Sequence, residues 1–393
     1  KLDASEAARE VSEEAIQTLS RAITKDPRNA RAHKNLGQLL RLRGRHHEAL
    51  VFLGEAVTLD QTYSEAFDEL ARVLTEMGFL KETLSALERS ATSQPDNVST
   101  LIRLGDLYVK GRLLQDAIDS YSRALELNPD NPAIHNNLGL ALGRQGRIAE
   151  SIQAHRQAFS LRPYNALYHS NLLLCLNYLE GMDKEDLFSL HRDWENLQTR
   201  DITAYPEKGA SLSDRIKIGY LSPDFRAHPI SSFFHPLLSH HNSEEFEVFC
   251  FSDVEKEDRV TESLKAWAEH WVPIWDKSDF EVSQLIAAEG IDILVDLAGH
   301  TGDNRLKVFA RKPAPIQVTW LGYPNTTGLS SMDYRVTDAV ADPPGEESYH
   351  SEELVRLEHG FHCFSPPTES PHVGEPPAAS NGYVTFGSFN NLA

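Results

Sequence analysis

The chain has 393 residues, of which 40% are hydrophobic, and a formal net charge of −20. This length predicts two or three folded cores, and the sequence lacks a run of about 18 apolar residues that would indicate a membrane span. An acidic chain without a Lys/Arg cluster is expected to repel nucleic acid, so neither nucleic acid nor a membrane is an expected partner.

The cysteines favour a reducing compartment. Cys175, Cys250 and Cys363 lie far apart, are odd in number and match no metal-ligand spacing. Such cysteines are typical of free thiols, because disulfide frameworks use paired cysteines in oxidising compartments. We therefore expect a cytoplasmic protein, also nuclear if its source is a eukaryote.

The first half of the chain is periodic. A leucine recurs every 34 residues, and a small residue follows it in the first four units; the leucines are Leu36, Leu70, Leu104, Leu138 and Leu172. This period is the tetratricopeptide signature. Whole repeats are predicted at 30–63, 64–97, 98–131 and 132–165, after a partial repeat. Alanines should lie where paired helices approach closely; they are Ala49, Ala56, Ala117, Ala124 and Ala158. Stacked repeats form a superhelix with a concave groove.

The residue before each repeat leucine is expected to face that groove. These residues are Asn35, Glu69, Arg103, Asn137 and Asn171. Asparagine amides offer a donor and an acceptor, so they could bind the backbone of an extended peptide. The alternative is that they are solvated residues of a helix face. His33, His135 and His169 precede the leucines by three residues, where packing between helices is the expected role.

We place the repeat array with a capping helix at 1–180, a helical connection at 181–213, and a different pattern after it. Short apolar runs there predict strands at 215–222, 246–252, 291–297, 317–321 and 334–337, and helices between them at 230–240, 260–270, 280–289 and 305–311. Strands that alternate with helices predict a parallel, doubly wound sheet, with ligands beyond the carboxyl ends of the strands.

The loops after the first, third and fourth predicted strands hold the candidate site. Asp224, His228 and His300 lie in them, and strand-end loops commonly carry functional residues. The alternative is that Asp224 caps the next helix and His228 is a surface histidine. Glycine-rich phosphate loops are absent, and the histidines lack a zinc-ligand arrangement. Residues 365–382 contain five prolines and predict an extended connector, and 383–393 predict the start of another lobe.

Several motifs resemble a known family. Tetratricopeptide repeats lead into IKIGYLSPDFRAHPISSFF, GIDILVDLAGHT, RKPAPIQVTWLGYPNTTG, MDYRVTDAVADPP and NGYVTFGSFNNLA. In this order they resemble the SPINDLY branch of the protein O-linked N-acetylglucosamine transferase family, over nearly the whole chain. The resemblance implies a GT-B fold, in which 214–364 is the N-terminal Rossmann-like lobe and the lobe that begins at 383 is truncated.

The resemblance also implies an activity. Members transfer N-acetylglucosamine from UDP-N-acetylglucosamine to Ser or Thr of intracellular proteins, with inversion and without a metal or other cofactor, while the repeats present the acceptor. Asp224 and His228 match the reaction centre. The sugar-binding positions are Pro229, Ile230, Leu321, Gly322 and Pro324, and Asn391 matches a nucleotide-binding position. Asn35, Asn137 and Asn171 match the peptide-binding asparagines of the groove, from which Glu69 and Arg103 depart.

Two alternatives stay open at this point. SPINDLY-type proteins also suggest GDP-fucose as the donor, and the segment could equally be a non-catalytic scaffold that binds peptides. The lysine that stabilises the diphosphate in the family follows the FNNLA motif, directly after Ala393, so we expect the chain on its own to be inactive. An upstream histidine of the animal enzymes has no convincing match, although His191 lies nearby.

Overall fold

The computed structural model describes residues 2–206, 214–365 and 374–384, with side chains from residue 13 onwards. The chain forms two compact units, Lys1–Ala154 and His155–Ala393. Their boundary falls inside the helix Ile148–Leu161 of the repeat array. In the described residues, no helix combines the length and the apolar character needed to cross a membrane.

The first unit is a succession of antiparallel helix pairs. Its helices are α1 (Leu2–Lys25), α2 (Ala30–Leu42), α3 (His46–Leu59), α4 (Ser64–Glu76), α5 (Leu80–Ser93), α6 (Val98–Lys110), α7 (Leu114–Leu127), α8 (Pro132–Arg144) and the start of α9 (Ile148–Leu161). Helices α2, α4, α6 and α8 begin at the first residues of the four predicted repeats. The sequence prediction of a tetratricopeptide solenoid is therefore confirmed.

Asparagine caps recur with the repeat and explain where the first helix of each pair begins. Asn29 accepts a hydrogen bond from Ala32 N–H at 2.9 Å, and Asn131 accepts one from Ala133 N–H at 3.0 Å. Asn97 does the same before α6, whereas Tyr63 precedes α4 without a side-chain cap. A cap satisfies amides that would otherwise lack a partner in the first helical turn.

Small residues allow the paired helices to approach closely. All five predicted alanines are fully buried, at 0% exposure: Ala49, Ala56, Ala117, Ala124 and Ala158. A Cβ atom built on Gly37 would lie 2.5 Å from Leu53 Cγ, and one on Gly105 would lie 2.4 Å from Tyr121 Cε1. Because interiors are close-packed, a larger side chain at these two glycines would push the helices apart.

The second unit begins with α10 (Ala166–Leu176) and α11 (Lys184–Gln198) and continues as an α/β domain. Its strands are β1 (Ile216–Ser222), β2 (Phe246–Ser252), β3 (His270–Pro273), β4 (Ile293–Asp296), β5 (Ile316–Trp320), β6 (Tyr334–Thr337) and β7 (Glu353–Arg356). The helices among them are α12 (Pro229–Leu238), α13 (Arg259–Lys265), α14 (Asp279–Glu289) and α15 (Leu306–Phe309), and α16 (Pro377–Asn381) follows β7.

All seven strands are parallel and lie in the order β3-β2-β1-β4-β5-β6-β7. Two apolar clusters form the core of the domain, one around Phe251 and Leu294 and the other around Phe225 and Phe234. The sheet is therefore buried and covered by helices, as a parallel sheet requires. The predicted fold class, a repeat solenoid followed by a Rossmann-like lobe, is confirmed.

Two strands were not predicted from the sequence, and the helices predicted at 230–240, 260–270 and 305–311 end earlier than expected. The helix expected at 260–270 ends at Lys265, and His270 instead opens β3. Both missed strands, β3 and β7, have four residues and lie at the edges of the sheet. Edge strands this short bury few side chains, so they leave little apolar alternation in the sequence.

Candidate functional site

The two central strands of the sheet mark where a ligand site is expected. From β1 the chain continues to β2 and β3 on one side, whereas β4 returns to the other side of β1. The loops that follow β1 and β4 therefore diverge in opposite directions and leave a crevice at the carboxyl edge. Asp224 and His228 follow β1, and His300 follows β4.

The Asp224 carboxylate and the His228 imidazole lie side by side in the first of these loops. His228 Nδ1 is 3.6 Å from Asp224 Oδ2, and Arg226 donates to Asp224 Oδ1 at 3.2 Å. The side chain of Asp224 is 9% exposed and that of His228 is 36% exposed. The carboxylate is thus covered while the imidazole keeps access to a ligand in the crevice.

Burial sets the protonation of this pair. It raises the pKa of Asp224, against the opposing charges of His228 and Arg226. It also lowers the pKa of His228, because a charged imidazole loses hydration there, although Asp224 acts in the opposite direction. A neutral imidazole at neutral pH has a free ring nitrogen that can accept a proton.

His228, and not Asp224, caps the helix that follows. Its Nδ1 accepts a weak hydrogen bond from Ile230 N–H at 3.4 Å, and Pro229 is the first residue of α12. The alternative role of Asp224 as the cap of this helix was therefore wrong. Of the two predicted sugar-binding residues here, Pro229 is exposed at the start of α12, whereas the Ile230 side chain belongs to the apolar core at 8% exposure.

The loop after β5 approaches the same edge of the sheet. Leu321 has a φ of 72°, and a Cβ atom on Gly322 would lie 1.9 Å from Leu297 O. Arg335 is buried beneath the loop and donates to Tyr323 O at 3.1 Å and to Asn325 O at 2.9 Å. These contacts fix the backbone conformation of the loop. Of the predicted residues in it, Pro324 is exposed, and Leu321 and Gly322 are half-buried.

His300 is a structural residue, although its position after β4 had favoured a functional role. It is fully buried, its Nε2 lies 2.8 Å from Thr327 O, and its Nδ1 lies 3.0 Å from Ser170 Oγ. The carbonyl can only accept, so Nε2 carries the proton and Nδ1 accepts from the serine hydroxyl. Burial lowers the pKa of His300 well below its usual value, which keeps the ring neutral.

His191 belongs to the same buried polar cluster, beside Tyr323. Its Nδ1 donates to Leu187 O at 2.7 Å, and its Nε2 accepts from the Tyr323 hydroxyl at 2.8 Å. That hydroxyl in turn accepts from Asn177 Nδ2 at 2.8 Å. Sequence reasoning missed this cluster, because its members come from three separate segments. It anchors α10 and α11 to the loop after β5.

The groove residues fall into two environments. Asn35 is half-buried and lines a cavity of about 480 Å³ together with Lys34 and Tyr63. Asn137 donates to Asp106 Oδ1 at 3.1 Å, and Asn171 is only 6% exposed. Among the three asparagines, Asn35 therefore lines an open cavity, Asn137 is half-buried and hydrogen-bonded to Asp106, and Asn171 is buried.

The two groove positions that do not carry an asparagine, Glu69 and Arg103, form ion pairs. Glu69 pairs with Arg41 at 3.2 Å, and Arg103 approaches Asp68 at 3.6 Å. These pairs link neighbouring repeats. Asn391, the predicted nucleotide-binding residue, lies outside the described residues.

One group of possible metal ligands occurs among the described residues, away from the crevice. It consists of Glu247, Glu269 and His270. Arg215 lies within 2.8 Å of Glu269 and 3.7 Å of Glu247, so a guanidinium already neutralises the carboxylates. This arrangement is an ordinary surface ion-pair cluster.

The comparisons with known proteins agree with the fold. The model of glycosyl transferase family 41 matches residues 190–373, and tetratricopeptide repeat models match 5–63, 105–146 and 136–162. An O-GlcNAc transferase mutant from Thermobaculum terrenum has a similar structure, with a TM-score of 0.72 and 34% identity over 79% of this chain and 60% of that chain.

Curated plant proteins are also similar. A protein of Solanum lycopersicum named "Probable UDP-N-acetylglucosamine-peptide N-acetylglucosaminyltransferase SPINDLY" is 43% identical over 56% of this chain and 24% of its own length. The SPINDLY protein of Arabidopsis thaliana is 44% identical over 56% of this chain and 25% of its own length. The match thus spans about a quarter of these relatives. Residues 190–373 thus match the model of glycosyl transferase family 41, and with the repeats before them the chain is similar to SPINDLY-type proteins and to an O-GlcNAc transferase.

Proposed function

We propose that this chain provides the acceptor-binding repeats and the first catalytic lobe of a protein O-glycosyltransferase. The proposed reaction moves N-acetylglucosamine from UDP-N-acetylglucosamine to a Ser or Thr hydroxyl of a protein. The observation that carries the proposal is the Asp224 and His228 pair, which lies at the crevice of a family 41 domain. The names of the plant relatives support the donor and the peptide acceptor.

The chemistry needs a base near the acceptor. The hydroxyl oxygen bonds to the anomeric carbon, the bond from that carbon to the diphosphate breaks, and the hydroxyl proton must leave. His228 is suited to take this proton on the unprotonated nitrogen of its neutral ring, because burial lowers the pKa of the imidazole. Asp224 lies next to Nδ1, where a carboxylate stabilises the imidazolium that results.

A single displacement of this kind inverts the configuration at the anomeric carbon, and inversion is part of the proposal. A positioned base removes the need for a metal to activate the hydroxyl. We accordingly propose a reaction without a metal or other cofactor, with the nucleotide sugar as a substrate.

The acceptor is proposed to bind to the repeat array. Asn35 and the cavity that it lines offer amide and charged groups to an extended peptide. Peptide chains are recognised well by such groups, because each backbone amide presents one donor and one acceptor.

A transfer assay tests the proposal. The full-length gene product that carries this chain is incubated with acceptor peptides and labelled UDP-N-acetylglucosamine or labelled GDP-fucose. The proposal predicts that label from UDP-N-acetylglucosamine is transferred to Ser or Thr of the peptide. A catalytically inactive enzyme should transfer no label. Transfer from GDP-fucose and not from UDP-N-acetylglucosamine would show that GDP-fucose is the donor. Peptide binding without transfer from either donor would favour the non-catalytic scaffold.

A further inference from the structure

The loop that carries Asp224 and His228 is tied to a side chain from another part of the domain. Asp258 precedes α13, and its Oδ2 accepts a hydrogen bond from Ala227 N–H at 2.7 Å. Ala227 is the residue directly before His228. A residue that lies 31 positions further along the chain therefore holds the backbone next to the proposed base.

The same carboxylate also caps its own helix. Asp258 Oδ1 accepts from Val260 N–H at 2.9 Å and from Thr261 N–H at 3.0 Å. The two oxygens thus have separate tasks, one in α13 and one in the loop after β1. The hydrogen bond from Ala227 is the first cause that lowers the pKa of Asp258, so the group is ionised and its bond to the loop is charge-assisted.

A second contact between the same two segments lies beside it. The Thr261 hydroxyl donates to Phe225 O at 2.8 Å, and Thr261 is fully buried. Phe225 is itself fully buried and stacks on Phe234 at a centroid distance of 5.0 Å. The loop is therefore held at Phe225 and at Ala227. Asp224 directly precedes Phe225, and His228 directly follows Ala227.

We propose that Asp258, assisted by Thr261, is a positioning residue that sets the placement of His228 relative to Asp224 and to the crevice. It acts through the Ala227 amide and does not touch the reacting atoms. The inference explains how the proposed base is positioned, and it rests on the proposed function. Its structural content, the coupling of Asp258 to His228, can be measured without any sugar transfer.

The substitution Asp258→Asn separates the two tasks of the carboxylate. Asparagine is as good a helix cap as aspartate, so its oxygen can keep the bonds to Val260 and Thr261. Its NH₂ group then faces Ala227 N–H, and two donors cannot bond to each other. The matched control is Asp183→Asn, because Asp183 caps α11 through one oxygen, which accepts from Glu185 N–H and Asp186 N–H.

The measurement is the NMR titration of the His228 ring in the 393-residue chain, with His228→Gln to assign the signal. The groups that act on this ring are Asp224 and Arg226. Loss of the Asp258 charge alone would lower the pKa of His228, whereas release of the loop relieves burial and raises it. We expect Asp258→Asn to raise the pKa by about half a unit or more, towards the ordinary value. Thr261→Val is expected to shift it in the same direction by less.

Hydrogen exchange supplies the second readout. The Ala227 amide should exchange about tenfold faster in Asp258→Asn, because it loses a charge-assisted bond, and should be unchanged in Asp183→Asn. An unchanged or lowered pKa of His228 in Asp258→Asn would overturn the inference, even with faster exchange at Ala227. If the transfer assay fails while the pKa rises as expected, the proposed function is wrong and the coupling stands.

Discussion

Gly322 lies where two backbones touch at the edge of the sheet. A Cβ atom there would be 1.9 Å from Leu297 O and 2.5 Å from Leu297 C, and backbone atoms of a buried strand end cannot move aside cheaply. The residue is thus required by packing, and it also holds the loop that was predicted to bind sugar.

We predict that Gly322→Ala lowers the free energy of unfolding by about 3 kcal/mol, at the upper end of the effect of overpacking. Urea unfolding followed by tryptophan fluorescence measures it. Gly302→Ala is the control, because no atom lies within 4 Å of a Cβ atom at Gly302. Equal stability of the two variants would contradict this account of the loop.

Two histidines show what the sequence could reveal at the residue scale. His228 and His300 both follow strands and looked equally suited to function. His300 is fully buried because α10 and α11 cover it, and the packing of helices from distant sequence positions cannot be read from the residues near it. The role of Asp258 was missed for the same reason, since its contact with Ala227 joins two separate segments.

At the scale of elements, the anchoring of α10 and α11 depends on one hydroxyl. Tyr323 donates to His191 and accepts from Asn177, and its side chain is buried. Removing the hydroxyl leaves the fully buried His191 Nε2 without its partner, at a cost of about 1–3 kcal/mol, whereas Asn177 Nδ2 keeps its bond to Leu173 O.

We therefore predict that Tyr323→Phe lowers the free energy of unfolding of the second unit by about 1–3 kcal/mol. The effect should be largest for α10 and α11, where amide exchange should become faster. Tyr178→Phe is the control, because Tyr178 is 61% exposed. If protection of these helices were unchanged in Tyr323→Phe, the cluster would not be what anchors them.

The sequence predicted the repeat helices well and the edge strands of the sheet poorly. The first helix of each whole repeat begins where the period of 34 placed the start of that repeat, because this period is a local signal. The strands β3 and β7 were missed, because four-residue edge strands carry too little alternation. Which loop residues contact one another could not be predicted from the sequence, because those contacts join segments that lie far apart in the chain.

At the scale of the whole molecule, buried histidines make stability depend on pH. Burial lowers the pKa of His155, His169 and His191 to about 4 each. In the unfolded chain a histidine titrates at about 6.5, so below that pH the unfolded state binds more protons than the folded one.

The free energy of unfolding should therefore be level above about pH 7 and fall as the pH drops from about 6.5 towards 4, by about 1.4 kcal/mol per pH unit for each such histidine. All five tryptophans lie in the second unit, so their fluorescence in urea titrations at pH 7.5, 6.0 and 5.0 reports on it. His191→Gln should show a smaller slope than the unchanged protein. Constant stability between pH 7 and 5 would contradict the neutral, buried state of these rings.

The central claim is that His228 acts as the base of a glycosyl transfer in the crevice of the family 41 domain. The most direct test is the kcat of His228→Ala in the full-length gene product, measured beside the affinity for an acceptor peptide. His240→Ala is the control, because His240 is exposed and its side-chain bonds to described residues are with the neighbouring Pro236 and Ser239. We predict that His228→Ala lowers kcat by about a hundredfold or more, while peptide affinity and the activity of His240→Ala stay unchanged. Turnover of His228→Ala equal to that of the unchanged enzyme would contradict the claim.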